Sequence, residues 1–317
     1  MIVYIQKIFN KHGTVPFFLG TTKSTQKMLI LQIITICVSI SDMNTLIATH
    51  NFNTESLKAS DLPKYLLAHG VSSISTDELA ALLGIPKNHV PQRMASLRRK
   101  NEIISPAHGL WIPIPPEYMT WGAPPAIDII DILMKHSKVN YYIGWLSAAE
   151  FHGASHHAPQ VFQVAVSRSI RQKIIGRSKL QFFRRENIKI IPIIKIESKS
   201  GTVQVSSRES TLLDIANDIK IVGGIDNAAN LIIELCEAEK PDIAVVIKIA
   251  DNYPVTAVRR LGFLMETFTN ILDLSKLEKY CERRKTVISI LDPQVQSTGF
   301  INTKWNIKIN REVSPDV

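Results

Sequence analysis

The chain has 317 residues, of which 45% are hydrophobic and 21% charged, and a formal net charge of +9. That balance excludes an intrinsically disordered chain, leaves room for two folded domains, and leans toward an anionic partner. Its three cysteines, Cys37, Cys236 and Cys281, lie far apart in no CxxC pair, which excludes a disulfide framework or a cysteine zinc site and fits a reducing cytoplasm.

Residues 1–58 carry little periodicity. Leu29 to Ile40 is a 12-residue apolar run after Lys23 and Lys27; it superficially resembles a signal peptide but is too short to span a bilayer. The expectation is a disordered or mis-started extension with Met43 as a candidate start, ahead of an export or anchoring segment or an added layer on the body.

Folded pattern begins near Ser60. In "SDLPKYLLAHG" Leu62, Tyr65, Leu66 and Ala68 stand at helical spacing, and Gly70 ends the run. "STDELAALLG" opens with a capping box, Ser75 and Glu78, and closes at Gly84. A third helix follows in "IPKNHVPQRMASLRRKNE", with Asn88 as the expected N-cap and Pro91 in the first turn, where a missing N–H costs little. "EIISPAHGLWIPI" then reads as a β-hairpin turning at Pro106 to Gly109. Three helices and a hairpin over 59–117 predict a winged helix-turn-helix.

The third helix has two unlike faces. At 100° per residue Val90, Met94 and Leu97 share one side and face a core. Asn88, Gln92, Ser96 and Arg99 lie within about 80° of one another on the other side. Asn and Gln can bond adenine and Arg can bond guanine, so this strip is the candidate base reader. Lys87, Arg93, Arg98 and Lys100 flank it and, with His108 at the hairpin turn, are the candidate phosphate contacts. A solvated helix face is the bland alternative; the capped helix before it and the hairpin after it favour double-stranded DNA.

The proline-rich stretch Pro113 to Pro125 marks the boundary to a mixed α/β domain over 118–317. Ile127 to His136 and Ile143 to Phe151 read as helices, and Val161 to Val166, Leu180 to Arg184, Ile188 to Ile196 and Thr202 to Ser206 as strands. Helices are expected over Ser210 to Asp218, Gly224 to Ala238, Asp242 to Ile249 and Thr256 to Thr269, with "TVISILDPQ" and "TKWNIKIN" as closing strands. The fold class is therefore α+β.

A second basic stretch runs from Ser167 to Lys189: Arg168, Arg171, Lys173, Arg177, Lys179, Arg184, Arg185 and Lys189, against the single acid Glu186. So many like charges repel unless solvated or paired, which predicts a surface facing a polyanion, either DNA or RNA. Phe182 and Phe183 within it are expected to be core positions rather than stacking platforms.

Catalytic chemistry finds little support. His152, His156 and His157 cluster in "FHGASHHAP", but Gly153 interrupts the i, i+4 spacing a helical metal site needs. "IVGG" lacks GxGxxG or a Walker lysine. Glu209, Asp214 and Asp218 could suggest a two-metal nuclease, yet no lysine accompanies them on a paired strand, and a capped helix explains them as well. No catalytic residue, metal or cofactor is expected.

The chain resembles the AbiEi family of antitoxins of type IV toxin–antitoxin systems over about residues 60–310. The likeness rests on the winged helix, "YYIGWLSAAEFHGASHHAPQVFQVAVS", "VSSRESTLLDIAND", "AVRRLGFLMET" and "WNIKIN", in that order. It implies a cytoplasmic, membrane-free repressor of its own operon that binds inverted repeats cooperatively. It also implies a C-terminal domain needed to counter a nucleotidyltransferase-like toxin without a stable complex. The competing readings are a stand-alone regulator whose larger domain senses a ligand or partner, and a winged-helix-guided endonuclease.

Overall fold

Buried Leu62 and Leu66 give the first helix, α1 (Leu62–Ala68), its inward stripe. The computed structural model describes residues 57–154, 160–269, 273–284, 287–296 and 298–316. After the short strand β1 (Ile74–Ser75), α2 (Thr76–Leu83) opens with the expected capping box. The Ser75 N–H donates to Glu78 Oε2 at 2.7 Å and the Glu78 N–H to Ser75 Oγ at 3.2 Å. Such a cap contributes about 1 kcal/mol. Gly84, at φ 63°, adopts the left-handed turn that stops the helix. Helix α3 (Val90–Arg99) follows, then strands β2 (Ile103–Ala107) and β3 (Leu110–Pro113), which join β1 in a three-stranded antiparallel sheet of order β1-β3-β2.

Alternation along the hairpin sends successive side chains to opposite faces. Ile103 and Trp111 close a cluster with Leu62, Leu66, Leu79, Val90, Met94 and Leu97. Leu110 and Ile112, with half-buried Ile104 and Ala107, join a different cluster on the other side. Both faces of the hairpin are therefore covered, and Leu57–Val317 forms one compact unit.

Beyond a 3-10 turn at Pro116–Trp121 come α4 (Ala126–Ser137), β4 (Tyr141–Ile143), α5 (Trp145–Phe151), β5 (Val161–Val166), β6 (Lys173–Ile175), β7 (Ser178–Arg184), β8 (Ile193–Ser198) and β9 (Gly201–Ser206). The strands form a six-stranded mixed sheet of order β6-β7-β5-β4-β9-β8, parallel at β4–β9 and β5–β7. One face packs Ile143, Val164, Val166, Leu180, Val203 and Val205 against α4 and the hairpin. The other turns Tyr142 and Ala165 toward a helical layer: α6 (Arg208–Asn217), α7 (Ile225–Ala238), α8 (Ile243–Ala250), α9 (Val255–Phe268) and α10 (Ser275–Glu282).

A last small sheet, β10 (Ser289–Ile290), β11 (Phe300–Asn302) and β12 (Ile307–Ile309), is fastened to α9 by two buried arginines. Arg259 donates to the carbonyls of Val287 (2.7 Å) and Arg284 (2.8 Å). Arg260 donates to those of Leu291 (2.7 Å), Ile290 (2.9 Å) and Ala216. Burial brings the Arg260 guanidinium down to about 10. Gly262 gives the indole of fully buried Trp305 the space a Cβ would occupy.

The mixed α+β class stands, with several local corrections. The helix expected over Ile143–Phe151 is a strand ending at Ile143 and a helix beginning at Trp145, with Gly144 between. The strand expected over Ile188–Ile196 begins at Ile193, because Pro192 interrupts it after a 3-10 turn at Ile188–Ile190. The α3 cap is His89, not Asn88; Asn88 sits in a 3-10 turn, Lys87–His89, and makes no capping bond. Strands β6 and β11 and helix α10 had no sequence expectation. The extension over residues 1–56, Cys37, His156 and His157 lie outside the described residues.

Candidate nucleic-acid interface

Helix α3 is built as its periodicity requires. Val90, Met94 and Leu97 are its buried residues, and Asn88, Gln92, Arg93, Ser96, Arg98, Arg99 and Lys100 are all exposed. Pro91 lies in the first turn, where no intrahelical N–H bond is lost. Lys87 pairs with Asp77 at 2.8 Å, both side chains well exposed. Such a pair holds weakly, and an external anion can replace Asp77. His108 is exposed at the hairpin turn, while its carbonyl accepts from His136 Nε2 of α4 at 2.9 Å.

The second basic stretch is divided by the fold. Arg171, Arg177 and Lys179 are exposed. Arg168 is exposed but donates to the Ser137 carbonyl at 2.9 Å, and Arg184 pairs with Glu186 at 3.2 Å. Lys173 Nζ donates to the Pro106 carbonyl at 3.0 Å, tying β6 to the hairpin. Arg185 is not part of the surface. Its side chain is 13% exposed, bonds Asp214 at 2.6 Å and stacks on the Tyr253 ring at 4.4 Å. Phe182 and Phe183 are half-buried and packed on opposite faces of the sheet, Phe183 edge-on to Trp145 at 4.9 Å.

Around Asp214 lies a constellation that sequence reasoning missed. Its carboxylate accepts from Tyr253 (2.9 Å) and Tyr142 (3.1 Å) as well as Arg185. Burial pushes the Asp214 carboxyl up to about 6 against the pull of Arg185 and the two hydroxyls. Trp145 stands in the left-handed region at φ 50°, held by its indole N–H on Asp218 at 3.0 Å. Such backbone costs on the order of 1–3 kcal/mol and persists only where its surroundings enforce it.

Asp214 is therefore closed to solvent and already paired. Glu209 turns instead to Ser207 Oγ and the Asp242 N–H. No three His, Cys, Asp or Glu side chains converge as metal ligands among the described residues. His152 bonds the Ser206 carbonyl at 2.8 Å, and burial lowers its pKa. Cys236 and Cys281 are buried thiols, pushed up to about 12 and about 11 by burial. Within the described residues no helix is long and apolar enough to cross a membrane.

A mixed α+β chain of this architecture is similar to the RV2827C protein from Mycobacterium tuberculosis, with a TM-score of 0.58 at 12% identity over 78% of this chain and 90% of that one. That is a likeness of fold. An antigenic nucleotidyltransferase-like protein from Paracoccidioides brasiliensis gives a TM-score of only 0.25 at 10% identity, over 40% of this chain and 89% of that one, and carries no weight here. No curated protein matches the chain. Residues 142–267 match the AbiEi antitoxin C-terminal domain. That match supports the resemblance to the AbiEi antitoxins drawn from sequence.

Proposed function

We propose that the chain is a DNA-binding antitoxin that represses its own operon, residues 59–117 acting as a winged helix-turn-helix on inverted repeats. Residues 118–317 then counter a nucleotidyltransferase-like toxin without a stable complex, and no catalysis is required of either part. One observation carries the DNA half of this reading: α3 buries Val90, Met94 and Leu97 and leaves its whole polar and basic face in solvent. No acid lies between Glu78 and Glu102 in the sequence, and Asp77 pairs with Lys87 ahead of the helix. The AbiEi match over 142–267 supports the antitoxin half.

In this reading Asn88, Gln92, Ser96 and Arg99 meet base edges, and Lys87, Arg93, Arg98, Lys100 and His108 meet phosphates. Arg99→Ala should cost about 1–3 kcal/mol at the DNA upstream of the chain's own gene and relax one position of specificity. A gel shift in which Gln92→Ala and Arg99→Ala both keep full affinity and selectivity would overturn the assignment of α3 as the reader. Arg93→Ala and Lys100→Ala should behave differently. Each is expected to weaken operator and unrelated duplex alike and lower the salt slope by about one unit. A loss confined to the operator would move that residue from phosphate to base.

A further inference from the structure

Helix α3 does not stand alone. Its Ala95, Arg98 and Arg99 form one wall of a groove of about 580 Å³ whose other wall is β6 and the turn residue Gly176. The floor between them is the hairpin strand β2. No carboxylate lines this groove, and the sequence has no acid between Glu150 and Glu186.

The two walls are fixed relative to one another. Lys173 is bonded to Pro106, and Ile175 is buried in the cluster that also holds Leu110 and Ile112. Gly176, at φ 57°, presses its backbone so closely on Trp121 and Ala123 that a Cβ there would collide with both. Two exposed cations, Arg177 and Lys179, follow this wall directly in the chain. Lys179 stands across the ladder from Ile174, a groove-lining residue that is 73% exposed, and cross-strand partners share a face. Arg177 occupies the turn beside Gly176 and is exposed.

We infer that the β6–β7 hairpin is a second DNA-contacting element, holding backbone phosphates beside α3; this rests on the DNA-binding reading above. A polyanion lying along α3 meets Arg98 and Arg99 and, across the same groove, the hairpin. A separate RNA on the hairpin would have to compete for the space that DNA takes. The larger part of the chain thus contributes affinity without reading sequence, because Arg177 and Lys179 reach phosphates rather than base edges.

The test is the full chain carrying Arg177→Ala and Lys179→Ala together. Lys173 is left intact because its amine holds the hairpin in place. Binding is measured by fluorescence anisotropy over a salt series, on the upstream duplex and on an unrelated duplex of equal length. Affinity should fall by the same factor on both, and the salt slope should drop by about two units. Unchanged affinity and slope, in a series where Arg99→Ala still loses selectivity, would remove the hairpin from the DNA while leaving α3 as reader. Absence of salt-dependent binding by the unaltered chain would overturn both readings. Normal repression with lost toxin neutralisation would assign the hairpin to another polyanion and equally overturn the inference.

Discussion

Arg185→Met should destabilise the chain by about 3–5 kcal/mol, because it leaves the fully buried Asp214 carboxylate without its cation. For a chain of this size that lowers the melting temperature by on the order of 10 °C. Adding Asp214→Asn should recover part of the loss. The amide can still accept from Tyr253 and meet the Tyr142 hydroxyl, and no buried charge remains. A double-mutant cycle that finds the two changes additive would show the pair to be energetically idle.

The same pair predicts a pH signature. Asp214 sits at about 6 in the folded chain, above the unfolded carboxylate value of about 3.9. Between those values the folded state holds the extra proton. The contribution is therefore full below about 3.9 and is lost as pH rises through about 6. Removing Arg185 takes away the cation that pulls the carboxyl down, so the upper end of that window moves higher. Urea unfolding at pH 5 and pH 8 should accordingly show a wider stability gap for Arg185→Met than for the unaltered chain. Equal gaps would mean that Arg185 does not govern the ionisation of Asp214.

What could be read from sequence was what is local. The capping box at Ser75, the stop at Gly84 and the inward stripe of α3 each depend on residues within a turn or two, and each stands in the fold. Strand β4 was missed because three residues, Tyr141 to Ile143, are too few to show a period of two. Arg185 was grouped with its neighbours because all are cations in one run, and its partner lies 29 positions away. Alternation offered a hint: Arg184 and Arg185 point to opposite faces of a sheet, so one of them had to meet the helical layer. A second hint lay in "LWIP", Leu110 to Pro113, every residue of which is buried. An uninterrupted apolar run reads as a strand covered on both faces, which a freely projecting wing would not be.

That covering sets the expectation for a fragment ending at Glu117. The proline-rich boundary and the separate hydrophobic patterns on each side suggest that 59–117 folds alone and binds DNA. The packing asks more of it. Leu110 and Ile112 are 4% and 2% exposed, and their cover comes from α4 and the large sheet. Uncovering them costs about 1.5–3 kcal/mol each, or about 3–6 kcal/mol together. A core of roughly 60 residues supplies only about 3–5 kcal/mol. The fragment should therefore unfold without a cooperative transition or self-associate through the bared hairpin face. Leu110→Thr with Ile112→Thr places β-branched residues at both strand positions and removes the apolar patch, so that version should stay monomeric and bind the upstream duplex more weakly than the full chain. Under the proposed function neither fragment should rescue cells from a cognate toxin, because both lack residues 142–267, which match the AbiEi antitoxin C-terminal domain. Calorimetry and size-exclusion chromatography decide the first point: a monomeric, cooperatively melting fragment with Leu110 and Ile112 intact would show that residues 59–117 do not depend on the chain behind them.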